Sequence, residues 1–174
     1  MTQALKEWAV LLEAAATGRQ RFLLRKGGIL ESSQSFQLES SEFLFFPTWE
    51  HQQRDWVRPE FHALFDQAAP SREGEVEIRY WGRAARITQA PSEPAALIEA
   101  TDSHIWTPEF LEMRYAYRPD LPLYQVEMEL FLLPRPAALT VTDGMRGCRS
   151  WVELGTDVAT EGARRVPQTT PDTT

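Results

Sequence analysis

Apolar residues recur along the first part of the chain in blocks broken by single charges. From Ala4 to Thr17, Leu5, Trp8, Ala9 and Leu12 fall at helical spacing on one face, with Gly18 behind them as a stop, which predicts a helix. Arg21 to Lys26 and Ile29 to Glu31 predict two short strands around Gly27-Gly28, a pair able to take the positive φ angles of a tight hairpin turn. Phe36 to Leu38 extends that hairpin, and the apolar run Phe43 to Phe46 before Pro47 predicts a strand covered on both faces.

Thr48 to Val57 alternates polar and aromatic residues and reads as a loop, after which Pro59 opens a short helix through Phe61, Leu64 and Phe65. Over Glu75 to Gln89, Val76, Ile78 and Tyr80 alternate with Glu77 and Arg79, which predicts a strand with a bulge or bend at Gly82. Ser92 is placed to cap a helix over Pro94 to Ala100, and Thr107 with Pro108 opens another through Tyr115. The strongest alternation runs from Leu123 to Leu133; Pro134 and Pro136 are expected to end that strand, with Leu139 to Val141 as a separate edge strand. Gly147 to Val152 is expected to pack a last aromatic, Trp151, onto the body.

After Leu154 the chain holds little to bury. The expected organisation is one globular domain over residues 1–154 and a disordered tail over 155–174, with no internal repeat. The fold class is α+β: a mixed or antiparallel sheet curled into a partly open barrel with short flanking helices.

Composition narrows the setting. In 174 residues, 43% hydrophobic and 11% aromatic content suffices to close a single core. A formal charge of -7 argues against coating nucleic acid by bulk attraction, although a local basic patch remains compatible with it. Of the 18 basic residues only Lys6 and Lys26 are lysines, so most of the positive charge is guanidinium, suited to paired contacts with phosphate or carboxylate. The one cysteine, Cys148, has no internal disulfide partner, and Lys6 and Glu7 interrupt any secretory signal; a reducing cytoplasm is the expected location. No apolar stretch approaches the roughly 20 residues of a membrane helix, so no membrane partner is expected.

Three segments pair core-forming residues with chemistry. Thr48-Trp49-Glu50-His51-Gln52 carries acid, base and metal-ligand types, but neighbours on an extended chain point to opposite faces, so Glu50 and His51 act together only if the loop bends. His62 and His104 are not at ligand spacing, so no metal and no cofactor are predicted. Arg25-Lys26-Gly27-Gly28 offers cations and backbone N–H groups to an anion, without the glycine spacing of a phosphate-binding P-loop. His104-Ile105-Trp106-Thr107 leads into a helix carrying Arg114, which joins an aromatic face, a helix start and a cation, as in sites that hold an unstacked base. A metal-dependent restriction nuclease needs an acidic residue two before a strand lysine; Ala4 and Leu24 stand there, and Glu77-Ile78-Arg79 and Glu112-Met113-Arg114 substitute arginine.

Taken together, Ala4-Leu5-Lys6-Glu7-Trp8, Leu24-Arg25-Lys26-Gly27-Gly28-Ile29, Phe46-Pro47-Thr48-Trp49-Glu50-His51-Gln52, Trp106-Thr107 with Arg114, and Gly147-Cys148-Arg149-Ser150-Trp151 resemble the bacterial family known as domain of unknown function 1802. The resemblance implies a link with restriction-type nuclease domains, an association and not a mechanism. A fainter likeness, in the order of elements alone, is to the small β-barrels of pseudouridine-synthase-and-archaeosine-transglycosylase RNA-binding domains.

The leading expectation is therefore a noncatalytic domain that recognises nucleic acid or a modified base in a defence or restriction-related context. Arg25 and Lys26 are assigned to phosphate, Trp106 to stacking, Thr107 and Arg114 to the anion, and Glu50 with Gln52 to a base edge. Its rivals are an enzyme on nucleotides or phosphoesters, with Glu50 as metal ligand or base and His51 as acid, and a protein-interaction module with a restriction-type partner.

Overall fold

The computed structural model describes residues 1–26, 41–70 and 72–167, and its first element departs from the expected helix. Gln3–Trp8 is a strand, β1, and only Ala9–Ala16 is helical, α1. β1 is paired along both edges, in parallel with β3 (Glu42–Thr48) and antiparallel with β6 (Trp151–Glu153). Such a strand is covered on both faces, and Ala4, Leu5 and Lys6 are all buried. The helical spacing of Leu5 with Trp8 and Leu12 arises because a strand runs straight into a helix. Gly18 ends α1 as expected, with φ at 73° and its N–H on the Ala15 carbonyl at 3.0 Å.

β2 (Phe22–Lys26), β4 (Glu75–Gln89) and β5 (Leu123–Thr140) complete the body of the sheet. The order is β2-β5-β4-β3-β1-β6, with β7 (Arg164–Arg165) added to β5, and the sheet curls into a half-barrel with a few short helices. Except for the parallel β1–β3 pair, neighbours run antiparallel, so the protein is a mixed-sheet α+β fold. The Gly27-Gly28 turn and the segments Ile29 to Glu31 and Phe36 to Leu38 lie outside the described residues.

Two expectations about β4 and β5 are corrected. Pro134 and Pro136 do not end β5, which continues to Thr140 and absorbs the expected Leu139 edge strand. Both prolines fall where pairing breaks between Leu132, opposite Tyr80, and Ala137, opposite Ile78, in an irregularity that asks no ladder hydrogen bond of them. Gly82 is no bulge either: it keeps regular register with Phe43 and Leu130, and the irregularities lie between Ile78 and Tyr80 and between Ala84 and Arg86. Glycine is needed there because the Phe45 ring occupies the space a Cβ would take, 2.6 Å from its Cε2.

The sheet carries apolar clusters on both sides. Phe43 and Phe45 join Leu5, Val10, Leu23 and Leu130 on one side, while Leu44 and Phe46 join Ala4, Ile78 and Leu133 on the other. α2 (His62–Gln67), α3 (Ala95–Glu99) and α4 (Pro108–Ala116) flank the first cluster. Met145, Val152, Leu154 and Val158 cover the second. Packing therefore does not stop at Leu154: the Val158 N–H bonds the Met1 carbonyl at 2.9 Å, Val166 N–H bonds Leu130 at 2.8 Å, and β7 joins the sheet. Residues 155–167 belong to the body, against the expected tail, because Val158 and the added strand give a polar segment enough burial and pairing to hold it. Among the described residues, no helix is long and apolar enough to cross a membrane.

Candidate functional site

The end of β1, β2, the loop after β3, α4 and the loop before β6 converge on a cleft of about 450 Å³. Arg25, Glu50, His51, Trp106 and Arg114 all line it, so the Glu50 loop and the Trp106–Arg114 segment share one cavity. Four cations, Lys6, Arg25, Arg114 and Arg149, face two carboxylates, Glu7 and Glu50, which gives an acidic protein a locally positive cleft.

Glu50 is held by backbone and charge. Its Oε2 lies 3.3 Å from Lys6 Nζ, its Oε1 accepts from Gly147 N–H at 3.2 Å, and Lys6 donates again to the Gly147 carbonyl at 2.9 Å. Partial burial pushes the Glu50 carboxyl up, but the Gly147 hydrogen bond, Lys6 and the His51 charge together outweigh it, and the net displacement is below the ordinary 4.5. A carboxylate kept ionised in this way is a weak general base and a firm loop anchor. The chain bends directly after it: His51 has φ at 60°, in the left-handed region, and the bend brings His51 into the same cleft as Glu50. His51 Nε2 then lies 3.6 Å from Sγ of the exposed Cys148.

Also in the lining, Arg25 pairs with Glu7 at 2.5 Å, both side chains largely buried, and donates to the Lys6 carbonyl at 3.1 Å. Arg114 donates to the Leu24 carbonyl at 3.3 Å; burial first and the charge of Arg25 second lower its pKa, although a guanidinium stays charged. Lys26 turns the other way. Its ammonium donates to the Arg114 and Tyr115 carbonyls at 3.2 and 2.6 Å, capping the C-terminal end of α4, and burial lowers its pKa.

The remaining expected residues make contacts within the protein. Gln52 lies outside the cleft lining and its Oε1 accepts the Val10 N–H at 3.0 Å, supplying α1 with the cap its own sequence lacks. Thr107 caps α4, accepting from Phe110 N–H at 3.3 Å. Trp106 is 3% exposed, edge-on to Trp8 at 5.4 Å and against Phe110 at 4.3 Å, so its ring faces are taken by the protein. An accessible ring at the cleft is Tyr117, 53% exposed, in the same lining as the half-buried stack of Trp8 on Trp56 at 5.7 Å. Two donors in the wall are buried with no acceptor among the described residues, Trp106 Nε1 and Arg25 Nε.

Sequence reading missed Lys6, Glu7, Tyr117 and Arg149 as cleft residues, and it read Cys148 only as an unpaired thiol. The Gly147-Cys148-Arg149-Ser150 run is the available signal, but its closeness to His51 spans 97 positions and is set by β6 pairing with β1. Among the described residues, no three His, Cys, Asp or Glu side chains are grouped to hold a metal ion.

The fold and site define a mixed-sheet α+β half-barrel with a cationic, aromatic-walled cleft beside its N-terminal strand. The chain belongs to the family described as Domain of unknown function (DUF1802), whose model matches residues 4–170, nearly its whole length. No curated protein and no solved structure matches it.

Proposed function

We propose that the cleft recognises a nucleotide, as an unstacked or modified base of nucleic acid, without catalysing a reaction on it. The observation that carries this reading is the convergence of Arg25, Arg114 and Arg149 with an accessible aromatic ring in one cleft whose wall also holds two donors without an acceptor among the described residues. Phosphate oxygens suit the guanidinium groups, and a planar base suits the Tyr117 ring. The role first given to Trp106 thus passes to Tyr117, while Glu50 stays available at the rim for a base edge through its exposed side. A defence-related setting, the link that the resemblance implies, is compatible with this reading.

The test is fluorescence anisotropy with labelled single- and double-stranded DNA and RNA at about 50 and 200 mM salt, each phosphate contact adding roughly one unit of salt slope. Tyr117→Ala and Arg149→Gln change exposed side chains and keep the fold, and each is expected to weaken binding about tenfold. Unchanged affinity in both variants would overturn the assignment, and cleavage of the probes would replace it with the enzyme reading.

A further inference from the structure

We propose that Cys148, with His51 as its base, is a thiol modification site inside this cleft, selective for small disulfides that carry carboxylates. His51 Nε2 sits 3.6 Å from Cys148 Sγ, and the thiol is exposed to the cleft. A lone thiol would carry no such assignment; two further features of the cleft do. Trp106, 3% exposed, lines it, and its indole N–H, like Arg25 Nε beside Glu7, is a buried donor with no acceptor among the described residues. Glu50 is paired with Lys6 and Glu7 with Arg25, which leaves Arg114 and Arg149 as the cations of the lining that no carboxylate among its described residues offsets.

The step balances within the two reactants. His51 takes the thiol proton, and Cys148 Sγ attacks one sulfur of the disulfide. The reagent's S–S bond breaks, and its other half leaves as a thiolate that recovers the proton from His51. Cys148 ends oxidised in a mixed disulfide, and one thiol is released as the reduced product. The adduct occupies part of the cleft, so modification is expected to hinder the ligand as well. That regulatory consequence, unlike the modification itself, rests on the proposed nucleotide reading.

Because the chain has one cysteine, every adduct reports on this site. The experiment measures release of thiol from dithiobis(nitrobenzoate), a dianionic disulfide, and from cystamine, a dicationic one, on the folded protein and on the same chain in urea, with the adduct mass confirmed. The folded chain is expected to favour the anionic reagent about tenfold more than the unfolded chain does. Arg149→Gln should reduce that preference. His51→Asn, which tolerates the left-handed backbone, should slow both reagents about tenfold. Equal preference in the folded and urea-treated protein, or a rate untouched by His51→Asn, overturns the site. Anisotropy on the adduct then separates the two readings: an adduct that forms and abolishes oligonucleotide binding supports both. An adduct on a protein that never bound nucleic acid keeps the thiol site and removes the nucleotide reading.

Discussion

The Lys6 ammonium lies 3.3 Å from Glu50 Oε2, so a buried position of β1 fixes the loop that follows β3. The two side chains are 6% and 40% exposed, which makes the loss of either partner unequal. Glu50→Gln strips the counter-charge from a desolvated ammonium and is expected to cost about 1–3 kcal/mol. Lys6→Met removes the buried charge along with the pair and should cost less. In urea denaturation the double variant should lose less than the sum of the single losses, and strict additivity would show that the pair is not coupled.

Gly82 and Phe45 meet so closely that one methyl group decides the packing. A Cβ at Gly82 would stand 2.6 Å from Phe45 Cε2 and 3.1 Å from Cζ, and Phe45 is fully buried. Gly82→Ala should therefore destabilise the protein by about 1–3 kcal/mol through overpacking, against a small gain in strand propensity. The double variant Gly82→Ala with Phe45→Leu should recover part of that loss. A thermal melt that leaves Gly82→Ala as stable as the parent would mean that the ring relaxes freely.

What the sequence made legible follows the range of the physics involved. β4 is found from Glu75 to Gln89 as its alternation predicts, and Thr107 with Pro108 marks the start of α4, because both signals are local. β1 was hidden because its burial comes from β3 and β6, distant in sequence, and a strand joined to a helix mimics helical spacing. The prolines of β5 misled for the same reason: whether a missing N–H matters depends on the partner strand. At the site, Arg25, Glu50, His51 and Arg114 were legible as chemistry out of place in a core. Their convergence with Lys6 and Cys148 was not, since sheet register brings those residues together. Trp106, Gln52 and Lys26 drew attention through the same signal, and the structure engages them in packing and at helix ends, contacts that residue type alone does not reveal.

His104 makes the fold sensitive to acid. It is 1% exposed, its Nε2 lies 2.7 Å from the Leu97 carbonyl, and its Nδ1 accepts from Trp106 N–H at 3.1 Å, an arrangement that needs the neutral ring. Burial lowers its pKa below the ordinary 6.5; the Leu97 carbonyl opposes this and the Arg58 charge adds to it. The unfolded chain thus binds this proton before the folded one does. The contribution of His104 is intact above 6.5 and declines as pH falls below that toward the lowered folded value. Urea midpoints between about pH 8 and pH 5 should fall for the parent and fall less for His104→Gln. Parallel curves would refute the assignment.

Tyr80 sets the alkaline limit in the opposite sense. The ring is 7% exposed, and burial first, then the Glu13 charge, with a hydrogen bond between the two side chains, push its pKa from 10.0 up to about 12, with Arg79 opposing. In the folded state the phenol holds its proton where the unfolded chain has released it. The stability it contributes is fully present below 10 and is lost as pH rises from there to about 12. Tyr80→Phe gives up a hydrogen bond with Glu13, about 1 kcal/mol at neutral pH, and cannot ionise. Its stability should therefore converge on that of the parent as pH climbs through that window. Ultraviolet titration of tyrosinate supplies the independent check: Tyr115 is raised by burial as well, so the parent should show late ionisation that loses one phenol in Tyr80→Phe. If Tyr80→Phe leaves the late part of the titration unchanged, burial against Glu13 does not control this group, and the convergence should be absent too.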